Sequence, residues 1–384
     1  MIYLDNGATS FHKPESVYRA VFSAMRTCAN PGRGGYREAI TAGQTVYQCR
    51  EAAGEMFGCN PEQVVLTSNC THGLNIALRT LVKPGAGVLI SGFEHNAVSR
   101  TLQLLGAKVI VAGRKLFDWE DTLTAFERQL RMGVDVAVFT HVSNVFGYIL
   151  PVQKLSSLCR SYGVPFVVDA AQSAGMLPVS LTDLGAAFIA MPGHKGLLGP
   201  QGTGLLLCGE VPQPLMGGGT GSESLMQTMP EYLPDIAEPG TLNVPGIAGL
   251  CAGIRYVQSC GADTIFQREQ QAAEQCAKML KSQGLQVYAG EHQGGTVSFV
   301  PPMDCEEFAQ KLGNRGIAVR AGLHCAPLAH ESAGTLETGT VRVSFGHDVH
   351  YGQILALEQE IQRILKEGTK NFKKQHCHYG SNLL

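Results

Sequence analysis

Asp169 and Lys195 stand where strands should end, and they carry opposite charge. Asp169 falls near the end of the run FVVDA (166–170), and Lys195 follows the run FIAM (188–191) inside the glycine-flanked segment GHKGLLGPQGTG. A carboxylate at a buried strand end is costly unless it has a partner. As ordinary residues, Asp169 would cap a helix or turn and Lys195 would be a solvated lysine. Placed together at one edge of a sheet, they suit pyridoxal phosphate. The lysine forms the Schiff base, and the carboxylate keeps the ring nitrogen protonated so that the ring is an electron sink. That chemistry needs a phosphate cradle. TSNCTHGLN (67–75) offers one, because it follows the run VVLT and opens a helix with Cys70 and Thr71 near its start. Backbone N–H groups and the helix dipole favour an anion there, although Thr, Ser and Asn are also plain caps. His95, after the run VLIS, reads by itself as a loop or capping histidine.

A sheet has to hold these residues. Apolar runs recur at 64–67, 88–91, 109–112, 136–140, 166–170, 188–191 and 204–208, with segments of helix length such as 71–82 and 152–162 between them. The runs do not alternate with polar residues, so they read as strands buried on both faces. Strand and helix in turn predict an open, mostly parallel α/β sheet of seven strands. Ligands of such sheets lie beyond the carboxyl ends of the strands. From about Pro245 the pattern changes to helices at 249–259 and 264–282, strands at 296–300, 317–321 and 341–345, and a last helix near 351–366. This predicts a smaller α+β domain. The polar, basic tail from Glu367 is expected to fray. Its His376-Cys377-His378 cluster is expected to be incidental, since no second cluster completes a metal site.

Composition narrows the classes further. Thirty Lys and Arg against 32 Asp and Glu leave a net charge of −2, which gives no basic footprint for nucleic acid or an anionic membrane. With 44% hydrophobic and 16% charged residues, the chain has ample apolar surface to bury. Its 384 residues suit two or three domains. No apolar run approaches the ~20 residues that span a bilayer, and the start MIYLDNGATS lacks the basic region of a leader. The expected location is the cytoplasm. Twelve cysteines include no CxxC pair, so most read as small buried hydrophobes and not as disulfides or zinc ligands. The 46 glycines gather in loops such as GLLGPQGTG and MGGGTGS, where backbone can approach a ligand closely.

Taken together, these segments resemble the class V aminotransferase-like enzymes. Within them they resemble the Suf-type cysteine desulfurases and the related selenocysteine lyases. The resemblance runs from YLDNGAT (3–9) to VRVSFG (341–346) through NPGRGG (30–35), TSNCTHGLN, EHNAV (94–98), THVSNVFG (140–147), VDAAQSAG (168–175), GHKGLLGPQGTG (193–204), GTLNVPGI (240–247) and RAGLHCAP (320–327). The last is the most specific, because it puts Cys325 where that family keeps its sulfur-accepting nucleophile. The resemblance implies fold type I of the pyridoxal phosphate enzymes. It also implies a large domain over 15–250 and a small one made of 1–14 with 251–384.

The resemblance further implies roles. Lys195 would be the Schiff-base lysine and proton shuttle, Asp169 would pair with the pyridinium nitrogen, Gln172 would bond the phenolic oxygen, and His95 would stack on the ring. Cys70, Thr71 and His194 would belong to the cofactor site, with Thr241 reaching the phosphate from the second subunit of a homodimer. Asn144, Arg342 and Arg320 would serve the substrate, and Cys325 would take sulfur from L-cysteine as a persulfide and leave L-alanine. His324 and Arg320 are candidates for lowering the pKa of Cys325. The short interval from Cys325 to Arg342 implies a sulfur-acceptor protein that reaches in, a role tied to iron–sulfur cluster biogenesis. Two alternatives share fold and cofactor: a selenocysteine lyase, and an ordinary aminotransferase that would need no cysteine at 325. Two residues depart from the family pattern. Pro192 has neither hydroxyl nor N–H to offer a phosphate, and His72 stands where an acid is common, so an altered phosphate cradle is expected.

Overall fold

The computed structural model describes residues 1–32 and 34–379, with side chains through residue 367. Its largest sheet has the strand order Val64–Thr67, Gly204–Cys208, Phe188–Pro192, Phe166–Asp169, Val136–Thr140, Gly87–Ser91, Lys108–Ala112. All seven expected runs are present, with ends shifted by a residue at most. Gly204–Cys208 runs antiparallel to both of its neighbours, and the other six strands share one direction.

The absence of alternation has a direct cause, which is apolar packing on both faces. Along Val136–Thr140, Val136 and Val138 join one hydrophobic cluster while Ala137 and Phe139 join the other. One cluster takes Phe57, Leu250 and Ile254 from covering helices, and the other takes Ile76, Ala77 and Leu78. Only the edge strand Lys108–Ala112 exposes its first residues. Register sets Asp169 beside Thr140 and Ala190, so the loops after these strands open at one edge.

A four-stranded antiparallel sheet follows, in the order Arg320–Gly322, Thr340–Ser344, Thr296–Val300, Gln286–Tyr288. Its core joins Val297, Phe299 and Val343 to Leu280, Phe308 and Leu357 of three helices, and Leu4 from the start of the chain lies in the same cluster. The single strand expected at 317–321 is two strands in two sheets. Ile317–Ala318 pairs in parallel with Ile2–Tyr3, while Arg320–Gly322 pairs antiparallel with Thr340–Ser344. Competing partners on either side of Val319 divide the run.

Other boundaries differ for local reasons. The helix expected at 249–259 spans Val244–Cys260, because Pro245 falls in its first turn, where no N–H is needed, and the Asn243 side chain accepts from Gly246 N at 3.1 Å. This helix runs unbroken through residue 250, the expected domain boundary. The last helix spans Tyr351–Tyr379 and continues past the point where fraying is expected. The side chains of His376, Cys377 and His378 lie outside the described residues. Two helices that the sequence pattern did not reveal, Glu15–Thr27 and Arg37–Phe57, pack on Val244–Cys260.

A buried ion pair fixes the stretch that leads into this helix. Arg50 donates to both carboxylate oxygens of Glu238, at 2.8 and 2.5 Å, and Glu238 also accepts from Leu66 N at 2.6 Å. The segment before Thr241 is thereby tied to the edge strand. Among the described residues no helix is long and apolar enough to cross a membrane.

Candidate active site

Beyond the carboxyl ends of the strands lies a cavity of about 790 Å³. Asp169 stands in its wall at 2% exposure. Its Oδ1 accepts from Ala171 N at 2.9 Å and from the Cys70 thiol at 3.5 Å. Burial, then the adjacent carboxylate, pushes the Cys70 thiol well up, so it remains a donor that helps orient Asp169. Lys195 faces the same cavity. Desolvation, with Arg342 adding to it against the pull of Asp169, lowers its amine from 10.5 to about 8. The lysine loop packs tightly on the loop after Asp169: a Cβ at Gly196 would run into Ala174 O.

His95 caps a helix, as the sequence suggests, and also lines the cavity. Its Nδ1 accepts from Ala97 N at 3.0 Å and caps the helix Asn96–Leu104, while its ring lines the cavity. Burial lowers its pKa. A neutral ring whose Nδ1 accepts must carry its proton on Nε2. Thr71 lies in the first turn of Cys70–Leu81. That helix is capped by Asn69, whose side chain accepts from His72 N at 2.8 Å. The amides of Cys70 and Thr71 have no protein acceptor among the described residues, and they are the groups that an anion takes at a helix N-terminus. His194 lines the cavity with Nδ1 3.1 Å from Thr9 Oγ1, and burial lowers it to about 4, so it is a neutral hydrogen-bonding group. Gln172 donates to Gly7 O at 3.0 Å.

On the opposite wall Arg342 is 1% exposed. Its Nη1 donates to Asn144 O at 2.9 Å, and its Nη2 donates to Asp5 at 2.6 Å. Asp5, the ion-pair partner of Arg342, is a residue of this wall that sequence reasoning missed. The signal was its place in YLDNGAT, but its partner lies 337 residues away. Arg320 is directly across the ladder from Arg342. Its Nη2 lies 4.0 Å from Cys325 Sγ.

Cys325 is exposed, next in the chain to His324, which lines the cavity. Both His324 (φ 50°) and Cys325 (φ 57°) are left-handed, a conformation costing roughly 1–2 kcal/mol per residue. Two hydrogen bonds hold it: Asn96 N donates to Cys325 O at 2.7 Å, and Asn144 Nδ2 donates to His324 O at 2.8 Å. The expectation that His324 would lower the cysteine's pKa needs correction. Its ring is buried with Nε2 against Thr340, and desolvation pushes its pKa far down, so it carries no charge to lend.

Two further residues fall elsewhere. Thr241 and His72 share a separate cavity of about 650 Å³ with Glu238 and Asn243, so a single chain does not bring Thr241 to Lys195. Pro192 does line the main cavity, at the end of its strand. The donor set fits pyridoxal phosphate: free amides for the phosphate, a carboxylate for the ring nitrogen, a ring to stack, and an amine of lowered pKa.

The aminotransferase class-V family profile matches residues 2–357, and the chain belongs to that family. Within it, the chain is 33% identical to a probable cysteine desulfurase of Pyrococcus abyssi, over 97% of this chain and 95% of that one. It is 32% identical to a probable cysteine desulfurase of Methanothermobacter thermautotrophicus, over 96% and 95%. A solved cysteine desulfurase from Thermococcus onnurineus superposes with a TM-score of 0.88 at 30% identity, covering 95% of each chain.

Two outcomes follow from this geometry. An amine titrating near 8 is neutral, and so nucleophilic, only above that pH. Capture of added pyridoxal phosphate by the apoprotein, followed by absorbance, should therefore speed up about tenfold per pH unit below 8 and level off above it; a rate still climbing at pH 10 would contradict the lowered amine. The Asp5–Arg342 pair competes with any carboxylate ligand. Asp5→Asn should bind acetate several-fold more tightly, measured by the shift it causes in the cofactor spectrum, and unchanged or weaker binding would show that Asp5 only orients the fork.

Proposed function

We infer that the protein is a pyridoxal-phosphate-dependent cysteine desulfurase that converts L-cysteine to L-alanine and leaves the sulfur as a persulfide on Cys325. The observation that carries this reading is the exposed Cys325, whose Sγ lies 4.0 Å from Arg320, a residue lining the same cavity as Lys195 and Asp169. An ordinary aminotransferase has no work for a thiol there. Bound in the cavity, pyridoxal phosphate supplies an electron sink for charge developing at the substrate Cα. The free amides at Cys70 and Thr71, with His194, would hold the phosphate. Asp169 would keep a proton at the ring nitrogen, Gln172 would bond the phenolic oxygen, and His95 would stack on the ring.

The other roles belong to the chain's own groups. Arg342 and Asn144 take the substrate carboxylate, with Arg342 exchanging the carboxylate of Asp5 for that of the ligand. Arg320, across the ladder from Arg342 and 4.0 Å from Cys325 Sγ, would assist both. The Lys195 amine removes and returns the proton at Cα, which its lowered pKa suits. Cys325 must act as a thiolate. Its Sγ bonds to the substrate sulfur while the Cβ–S bond breaks, and a proton added at Cβ completes alanine. The persulfide then sits on an exposed residue, where the thiol of an acceptor protein can reach it.

Assembly belongs to the same reading. Tyr18, Phe22 and Met25 on Glu15–Thr27, with Ile40 and Tyr47 on Arg37–Phe57, are large exposed apolar side chains. Such a patch favours an interface. With Thr241 away from Lys195 in its own chain, it supports a two-fold dimer in which Thr241 meets the partner's phosphate. The same reading divides the chain into 15–250 and 1–14 with 251–384.

Cysteine turnover without reductant should add one sulfur atom to Cys325 alone, detected by mass spectrometry of its peptide. Cys325→Ser should lose alanine formation from cysteine while keeping the cofactor spectrum, and alanine at near wild-type rate would end the desulfurase reading. Sedimentation of the loaded protein at micromolar concentration should show a dimer; a loaded monomer would remove Thr241 from the cofactor site.

A further inference from the structure

A second cavity, of about 660 Å³, adjoins the first. Lys195, Gln172, Gly7 and Val142 line both. Its volume falls within the ~300–1,000 Å³ of small-ligand sites, which are mostly apolar with a few placed polar groups. The walls fit that description, because Met176, Leu198, Ile265, Phe266 and Phe345 supply apolar surface. Glu269, from the helix Ala262–Ser282, is the exception among them. It is 1% exposed. Among the described residues its Oε1 has no hydrogen-bond partner, and no cation pairs with the carboxyl. The carboxyl packs over Gly295, where a Cβ would stand 2.8 Å from Oε2. His347 is in the same wall, and its Nδ1 is also without a partner among the described residues.

A buried carboxyl without a partner is costly, and the roles assigned above make no use of Glu269. Burial, then the negative charge of Asp348, pushes its pKa well up. Burial also lowers His347, so that ring is neutral and can accept a hydrogen bond. Glu269, His347 and Lys195 are the titratable groups in the wall. A cation beside Glu269 would relieve both its burial and its repulsion from Asp348, whereas an anion would add to them. A bare metal ion suits the site poorly. It would leave the apolar walls unfilled, and among the described residues no three His, Cys, Asp or Glu side chains converge on a metal. We propose that this cavity binds a small aliphatic amine as its ammonium ion, with an N–H donating to the Glu269 carboxylate and the alkyl part against Ile265, Phe266 and Phe345. His347 Nδ1 offers an acceptor for a second N–H. Charge-assisted bonds of this kind are roughly twice as strong as neutral ones. Lys195 and Gln172 form the shared wall, so an occupant bears on the cofactor site.

The probe is N,N-dimethylhexylamine, which carries an N–H at neutral pH and cannot form a Schiff base with the cofactor. Calorimetry of the cofactor-loaded protein at pH 7 should show it binding at one site per chain. Hexanol, a neutral molecule with the same alkyl chain, should bind at least about tenfold more weakly, the loss of one charge-assisted hydrogen bond. Glu269→Gln keeps the size of the side chain and should weaken the amine by a similar factor. An unchanged cofactor spectrum in that variant shows that the neighbouring site is intact. The readout is binding, so it is independent of whether cysteine is desulfurated. The proposal is overturned if the amine does not bind, if hexanol binds as tightly, if Glu269→Gln binds the amine with wild-type affinity, or if potassium chloride displaces it at equal concentration.

Discussion

Burying the guanidinium of Arg342 beside a second arginine is expensive, and much of the site is arranged around that cost. A buried charge left without a partner destabilises by about 3–5 kcal/mol, and like charges directly across a ladder repel. Arg320 and Arg342 are such a pair, and Lys195 adds a third basic group in the same cavity. The compensation comes from carboxylates and carbonyls brought from distant parts of the chain: Asp5 from the first strand region, Asn144 O from the loop after Val136–Thr140, and Asp169 from the centre of the sheet. Burial first, and these basic groups second, loosen the hold of the Lys195 amine on its proton, and the same excess makes the cavity receptive to an anionic ligand. An amino-acid carboxylate and a cofactor phosphate are both anions. The electrostatics therefore suit a bisected site, one end for phosphate and the other for carboxylate, with a partly neutral amine between them.

The thiol end of the site uses backbone geometry. Two consecutive left-handed residues at 324 and 325 turn the chain sharply. The hydrogen bonds that hold the turn come from Asn96 and Asn144, which stand next to or within the ligand-binding walls. Asn144 therefore touches three things at once: its carbonyl receives Arg342, its side chain holds His324 O, and it lines the cavity. A ligand that draws on Asn144 bears directly on the turn presenting Cys325.

Most of the large sheet was legible because both faces of each strand are buried, so the strands read as unbroken apolar runs with chemistry placed just after them. Asp169, Lys195, His95 and Thr71 come together in the cavity for that reason. Features set by pairing across long sequence distances were not legible. The division of 317–321 between two sheets depends on Ile2–Tyr3 and Thr340–Ser344, neither of which is local. The neutrality of His324 depends on burial against Thr340, and adjacency to Cys325 in sequence suggested the reverse. Of the N-terminal helices, Glu15–Thr27 buries only Val17 and Ala24, so it offers no apolar run that reads as core.

The pairing of the first strand with the last part of the chain also bears on synthesis. Ile2 and Tyr3 leave the ribosome about three hundred residues before their ladder partners Ile317 and Ala318, and Asp5 finds its cation only at Arg342. At the ~5–20 residues per second of translation, the opening segment waits for tens of seconds with its apolar side chains unpaired. The large sheet has all its strands by residue 208 and can form during that interval, but the wall that holds Arg320 and Arg342 cannot. The nascent protein thus acquires its sheet before that wall, and Thr340–Ser344 joins residues 4–5 to the later strands only when it emerges.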